Sequence, residues 1–87
     1  MSFLSKQELN GLKRFLTKKI NVEITDIDYW VDHINWGVPS FHLLLQIITK
    51  KKEDLDEYLF DLFEDEIRTY LKLISKSWSG PIKIHLL

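Results

Sequence analysis

Apolar side chains recur at spacings of three and four along residues 55–74 of this chain, LDEYLFDLFEDEIRTYLKLI. Leu55, Leu59, Leu62, Phe63, Ile67, Tyr70, Leu71 and Ile74 share one stripe of a helix, and Asp56, Glu57, Asp61, Glu64, Asp65, Arg68 and Lys72 take the other side. A helix of that length reaches about 30 Å, enough to lie across a small sheet. A shorter stripe of Leu9, Leu12, Leu16 and Ile20, with Phe15 beside it, predicts a helix over 6–19. Ser5 and Glu8 stand at the spacing of a capping box ahead of it, with Leu4 and Leu9 in staple positions. Gly11 inside this helix weakens it by up to roughly 1 kcal/mol relative to alanine. Asp54 and Glu57 form a second possible capping box before the long helix.

Between the helices the period falls to two. Ile27, Tyr29, Val31 and His33 alternate with Asp28, Trp30, Asp32 and Ile34, and Phe41, Leu43, Leu45 and Ile47 alternate with His42, Leu44, Gln46 and Ile48. INWGVPS lies between them, with Gly37 and Pro39 as turn residues, so the pattern predicts a β-hairpin. The odd-numbered residues make the cleaner apolar face and are sent to the core. Pairing residues whose numbers sum to 74 sets Asp28 opposite Gln46, Trp30 opposite Leu44 and Asp32 opposite His42. After the long helix, SKSWSGP is a stop signal in which Gly80 suits a left-handed cap, Pro81 cannot continue the helix and Trp78 is expected to cap the core. Ile82, Ile84 and Leu86 then alternate with Lys83 and His85 in a third strand.

The order α-β-β-α-β predicts a single α+β domain over residues 1–87. Its sheet has three strands and mixed pairing: the hairpin, plus a C-terminal strand parallel to the second and reached by a right-handed crossover. The long amphipathic helix and the shorter N-terminal helix pack on it. The strand order expected is 2-1-3, with the third strand beside the first.

Composition narrows the function classes. A chain of 87 residues supports one modest core. The absence of cysteine excludes a disulfide scaffold, thiol catalysis and Cys-ligated zinc. MSFLSKQE turns polar by its fifth residue and no apolar run approaches 18 residues, so the expectation is a cytoplasmic protein with no membrane segment.

Net charge is −1, but it is unevenly spread. Residues 1–20 carry Lys6, Lys13, Arg14, Lys18 and Lys19 against Glu8 alone. Residues 21–49 carry Glu23, Asp26, Asp28 and Asp32 with no Lys or Arg, and residues 53–66 hold eight acids and no base. Segregation of this kind bears on partners and not on fold.

The even face of the hairpin brings Asp28, Trp30, Asp32, His42 and Gln46 together, an aromatic anchor among polar groups of the type protein partners use. The competing reading is that the first helix covers part of that face, leaving Trp30, Leu44 and Ile48 as satellite core. Trp36, at the hairpin tip, is either tucked back or used for binding. Asp61 and Glu64 mark the acidic outer face of the long helix, where charge complementarity favours a basic protein.

Asp32, His42 and the nearby Ser40 invite a catalytic reading, but a cross-strand ion pair is the simpler account. His33, His42 and His85 lack the H-x3-H or H-E-x-x-H spacing of a metal site, so no metal or other cofactor is expected. These features predict a non-enzymatic protein-binding module, either a monomer or a homodimer paired through a sheet edge, with a basic protein as partner. A small inhibitor or immunity protein that neutralises a basic nuclease-type toxin is the specific expectation. The alternative is a nucleic-acid-binding or virion-assembly component that uses the basic first helix, although a near-neutral chain with so many acids is not the charge profile of a nucleic-acid binder.

Overall fold

The computed structural model describes residues 3–36, 38–50 and 57–87, with the backbone alone described for 34–36, 38–40, 57 and 58. Helix α1 (Lys6–Ile20) is followed by strands β1 (Ile24–Trp36) and β2 (Val38–Thr49), helix α2 (Glu57–Leu73) and strand β3 (Ile82–Leu86). This is the α-β-β-α-β order and the mixed three-stranded sheet that the periodicities predict. The possible capping box at Asp54 lies outside the described residues.

Helix α1 begins as its sequence dictates. The Ser5 hydroxyl accepts from the Glu8 amide at 3.1 Å, and the Ser5 amide donates to Glu8 Oε1 at 2.8 Å. Asn21 ends the helix in the left-handed conformation. Lys76 Nζ reaches the same Glu8 Oε1 at 2.6 Å and also donates to the Phe3 carbonyl at 2.9 Å, which ties the segment after α2 to the start of α1. The Lys76 ammonium and the Ser5 amide hold the Glu8 carboxyl below its ordinary value of 4.5. A carboxyl whose folded-state value is depressed adds stability above the unfolded value, and that stability is lost as pH falls through the folded one. The Tm gap between wild type and Glu8→Gln is therefore expected to be open at pH 7 and to close below about pH 4.5. A gap of constant width from pH 7 to pH 3 would contradict the ion pair.

Gly11 has a packing reason. A Cβ there would run into the hydroxyl of Tyr70, which crosses from α2 and donates to the Glu8 carbonyl at 2.8 Å. Burial, and then the nearby Glu8 charge, raise the Tyr70 hydroxyl above its ordinary value. Gly11→Ala is expected to destabilise by about 1–3 kcal/mol through overpacking, despite alanine's higher helix propensity. Adding Tyr70→Phe removes the clashing oxygen, so the double variant should recover part of that loss. A chemical-denaturation double-mutant cycle reads the coupling, and additive losses would contradict it.

In the sheet, β1 pairs antiparallel with β2 from Asp26↔Ile48 to Trp36↔Val38, the register in which numbers sum to 74, and β2 pairs parallel with β3. The strand order is β1-β2-β3, which corrects the expected 2-1-3. The physical reason lies in β2. Its run Leu43-Leu44-Leu45-Gln46-Ile47-Ile48 is the most continuously apolar of the three strands and takes the central position, whereas β1 carries three aspartates and suits an edge. At that edge Asp26 Oδ1 accepts from the Ile27 amide at 2.9 Å and Asp28 Oδ1 from the Tyr29 amide at 2.8 Å. A register shift between Ile24 and Asp26 turns Ile24 onto the same side as Ile27, and both are buried.

Both helices pack on the odd-numbered face of the hairpin. The core joins Leu12 and Leu16 of α1, Phe63, Ile67 and Leu71 of α2, and Ile27, Leu43, Leu45, Ile47 and Ile82 of the sheet. Trp78 is half-buried against it, its ring 5.1 Å from that of Phe3, as the sequence leads one to expect. The odd face is not core throughout. Val31 is 38% exposed, Phe41 is 56% exposed, and His33 stacks on Phe41 at 4.7 Å outside the helical cover. Length explains this: a 13-residue strand extends about 43 Å, while helices of 15 and 17 residues reach only about 22 and 25 Å.

Two further details depart from the pattern. The left-handed residue after α2 is Ser75 and not Gly80, with the Lys76 amide closing on the Leu71 carbonyl at 2.8 Å. Gly80 is instead the point where the chain passes the Phe41 carbonyl, which a Cβ would approach to 2.7 Å. Arg68, expected on the solvent side, donates to the Trp78 carbonyl at 2.8 Å and the Gly80 carbonyl at 3.0 Å, which pins the α2–β3 connection.

Candidate functional site

With both helices on one side, the other side of the sheet carries no covering element among the described residues. Its geometry follows from alternation and register. Asp28, Gln46 and His85 form one row across the three strands, and Trp30, Leu44 and Lys83 form the next. Asp32 and His42 continue toward the hairpin tip, and Asp26 with Ile48 toward its base. The reading in which α1 covers this face is not what the structure shows. Trp30 is 41% exposed, and Asp28 and Asp32 are exposed beside it. His42, Leu44, Gln46 and Ile48 are half-buried, as expected of a central strand with side chains on both flanks. A depression of about 180 Å³ beside Trp30 is lined by Leu44, Leu45, Lys83, Ile84 and His85.

The arrangement sets carboxylates on one flank and the Lys83 ammonium on the other. The β1 flank carries the carboxylates of Asp26, Asp28 and Asp32, the β3 flank carries Lys83 and His85, and apolar Leu44 and Ile48 lie on the middle strand. The β3 contribution escaped the sequence reading, because it depends on which strand lies beside β2. Lys83 and His85 alternate with Ile82, Ile84 and Leu86, so their outward side was legible even though their neighbours were not.

The structure does not unite all the residues singled out by sequence. Asp28, Trp30, Asp32, His42 and Gln46 share the open face. Asp61 is exposed and Glu64 half-buried on α2, whose Phe63 and Ile67 point into the core, so these two acids belong to the opposite, helical side of the molecule. The backbone of Trp36 pairs with Val38, but its side chain lies outside the described residues, as does that of Ser40.

Asp32 and His42 are cross-strand partners, and neither lines the depression beside Trp30 or the larger hollow of about 500 Å³ where Phe3, Leu4 and Leu9 meet Tyr29, Trp30 and Val31. Among the described residues no group of three or more His, Asp or Glu is placed to hold a metal ion, and no helix is long and apolar enough to cross a membrane. The basic side chains of α1 lie on the helical side. Lys13 Nζ donates to the Thr25 carbonyl at 3.1 Å and Lys19 sits 5.8 Å over the Phe15 ring, while Lys6, Arg14 and Lys18 are exposed.

No protein-family model matches the chain, and neither a curated protein nor a solved structure matches it.

Proposed function

We propose that this chain is a non-enzymatic protein-binding module and that the open face of its sheet receives a basic protein. One observation carries this reading: among the described residues the three-stranded sheet is covered on one side only, with an exposed tryptophan between two exposed aspartates on the other. A large aromatic ring supplies contact area at small entropic loss, flanking carboxylates select a cationic surface, and the half-buried Leu44 and Ile48 provide an apolar centre. Asp32 and His42 act in this reading as a polar cross-strand pair and not as an acid–base dyad. The particular partner that the small size and the acidic β1 flank fit is a nuclease-type toxin, whose nucleic-acid-binding surface must be positive.

The test is affinity capture from the native host with the tagged chain at low and at moderate salt, wild type beside Asp28→Lys/Asp32→Lys. A single stoichiometric basic protein, retained by wild type and lost from the variant, supports the reading. Retention of nucleic acid instead, lost only on neutralising Lys6, Arg14 and Lys18, would replace it with the α1 alternative.

A further inference from the structure

The charge pattern of the open face is its own complement. Carboxylates flank it on β1, Lys83 and His85 flank it on β3, and the apolar strand β2 runs between. Consider a second copy laid face to face about a two-fold axis parallel to the strands. The rotation exchanges left and right and keeps height along the strands, so β1 of one copy lies over β3 of the other. Trp30 then meets Lys83 of the second copy, Asp28 meets His85, and Leu44 and Gln46 each meet their own counterparts. An ammonium over an indole and a carboxylate against an imidazole are both favourable pairings. The other in-plane axis, perpendicular to the strands, lays β1 over β1 and sets aspartates against aspartates. The pattern therefore selects one of the two simple face-to-face arrangements, at the spacing of about 10 Å usual for packed sheets.

Edge pairing is the competing route to a dimer, and β1 is poorly suited to it near its base. The outward amides of Ile27 and Tyr29 are already taken by Asp26 and Asp28.

We propose that, without its partner, the protein self-associates reversibly through this open face as a two-fold dimer, with Lys83 standing in for the partner's positive charge. The proposal rests on the protein-binding reading of the same face. The four rows from Asp26 to Asp32 cover only about 14 by 20 Å, well below the roughly 800 Å² per partner of a stable complex. The dimer is accordingly weak, sensitive to salt and displaceable by a better-matched cationic partner.

Sedimentation of the full chain over a wide concentration range tests this. Wild type is expected to show a monomer–dimer equilibrium that weakens as salt rises. Lys83→Glu should raise the dimer dissociation constant at least tenfold with Tm unchanged, and Lys83→Arg, which keeps a cation over Trp30 of the second copy, should leave the association close to that of wild type. A monomer at every concentration, or a dimer indifferent to both Lys83→Glu and salt, would overturn the proposal. The two readings fail separately. A chain that is monomeric at every concentration and still captures a basic protein overturns the dimer alone. A salt-sensitive dimer that captures no partner would sink the functional reading alone.

Discussion

Phe63→Ala is expected to destabilise the fold by about 3–5 kcal/mol, the range for removing a buried phenylalanine. Phe63 is fully buried and joins α2 to the α1 and sheet residues of a single core, so no neighbouring core is available to absorb the cavity. A domain of this length has a net stability of only about 4–13 kcal/mol, so the variant sits near its unfolding threshold. Urea titration should show a lower midpoint at unchanged slope. Phe60→Ala, three residues away but 38% exposed, is the control and should lose clearly less than Phe63→Ala. Equal losses at the two positions would mean that α2 is rotated from the orientation described here.

Asp28→Lys/Asp32→Lys is the second variant with a large expected effect, on binding and not on stability. Both side chains are exposed on the open face, so Tm should move little. Affinity for the basic partner should fall at least 100-fold, about 3 kcal/mol, because two attractive charges become repulsive at the centre of the contact. Trp30→Ala should also weaken binding by about 2 kcal/mol or more, and that loss should persist at raised salt, where the aspartate effect shrinks. The differing salt response separates the aromatic anchor from the charge field. Asp61→Lys/Glu64→Lys, on the helical side, should leave affinity nearly unchanged at moderate salt.

Local signals in the sequence translated well into structure. The Ser5–Glu8 capping box, the stripe that sends Phe63, Ile67 and Leu71 inward and the hairpin register that pairs Asp32 with His42 all depend on residues near one another in the chain. Sheet order was harder, because Ile82, Ile84 and Leu86 alternate equally well beside either neighbour. The deciding signal was the apolar run of β2 against the aspartates of β1, a comparison between strands.

The exposed Val31 and Phe41 illustrate a second limit. Alternation assigns a side of the sheet, but whether that side is covered depends on how far the helices reach along it. Arg68 shows a third: a guanidinium on the polar side of a helix reads as solvated until the carbonyls of Trp78 and Gly80 are brought to it.

The candidate site was legible in part for the same reasons. Asp28, Trp30, Asp32, His42 and Gln46 were grouped correctly by period and register. Asp61 and Glu64 stand out in the sequence by charge alone, and charge says nothing about which side of a two-layer fold a residue occupies. Lys83 and His85 complete the face only once β3 is placed beside β2.

The most direct test of the open face is a footprint of the basic partner on the labelled chain by amide chemical-shift mapping. Perturbations should concentrate on Asp26–Asp32 of β1, His42–Ile48 of β2 and Lys83–His85 of β3, and spare α1 and the outer side of α2. A footprint centred on Lys6, Arg14 and Lys18, or on Asp61 and Glu64, with the sheet unperturbed, would contradict the account.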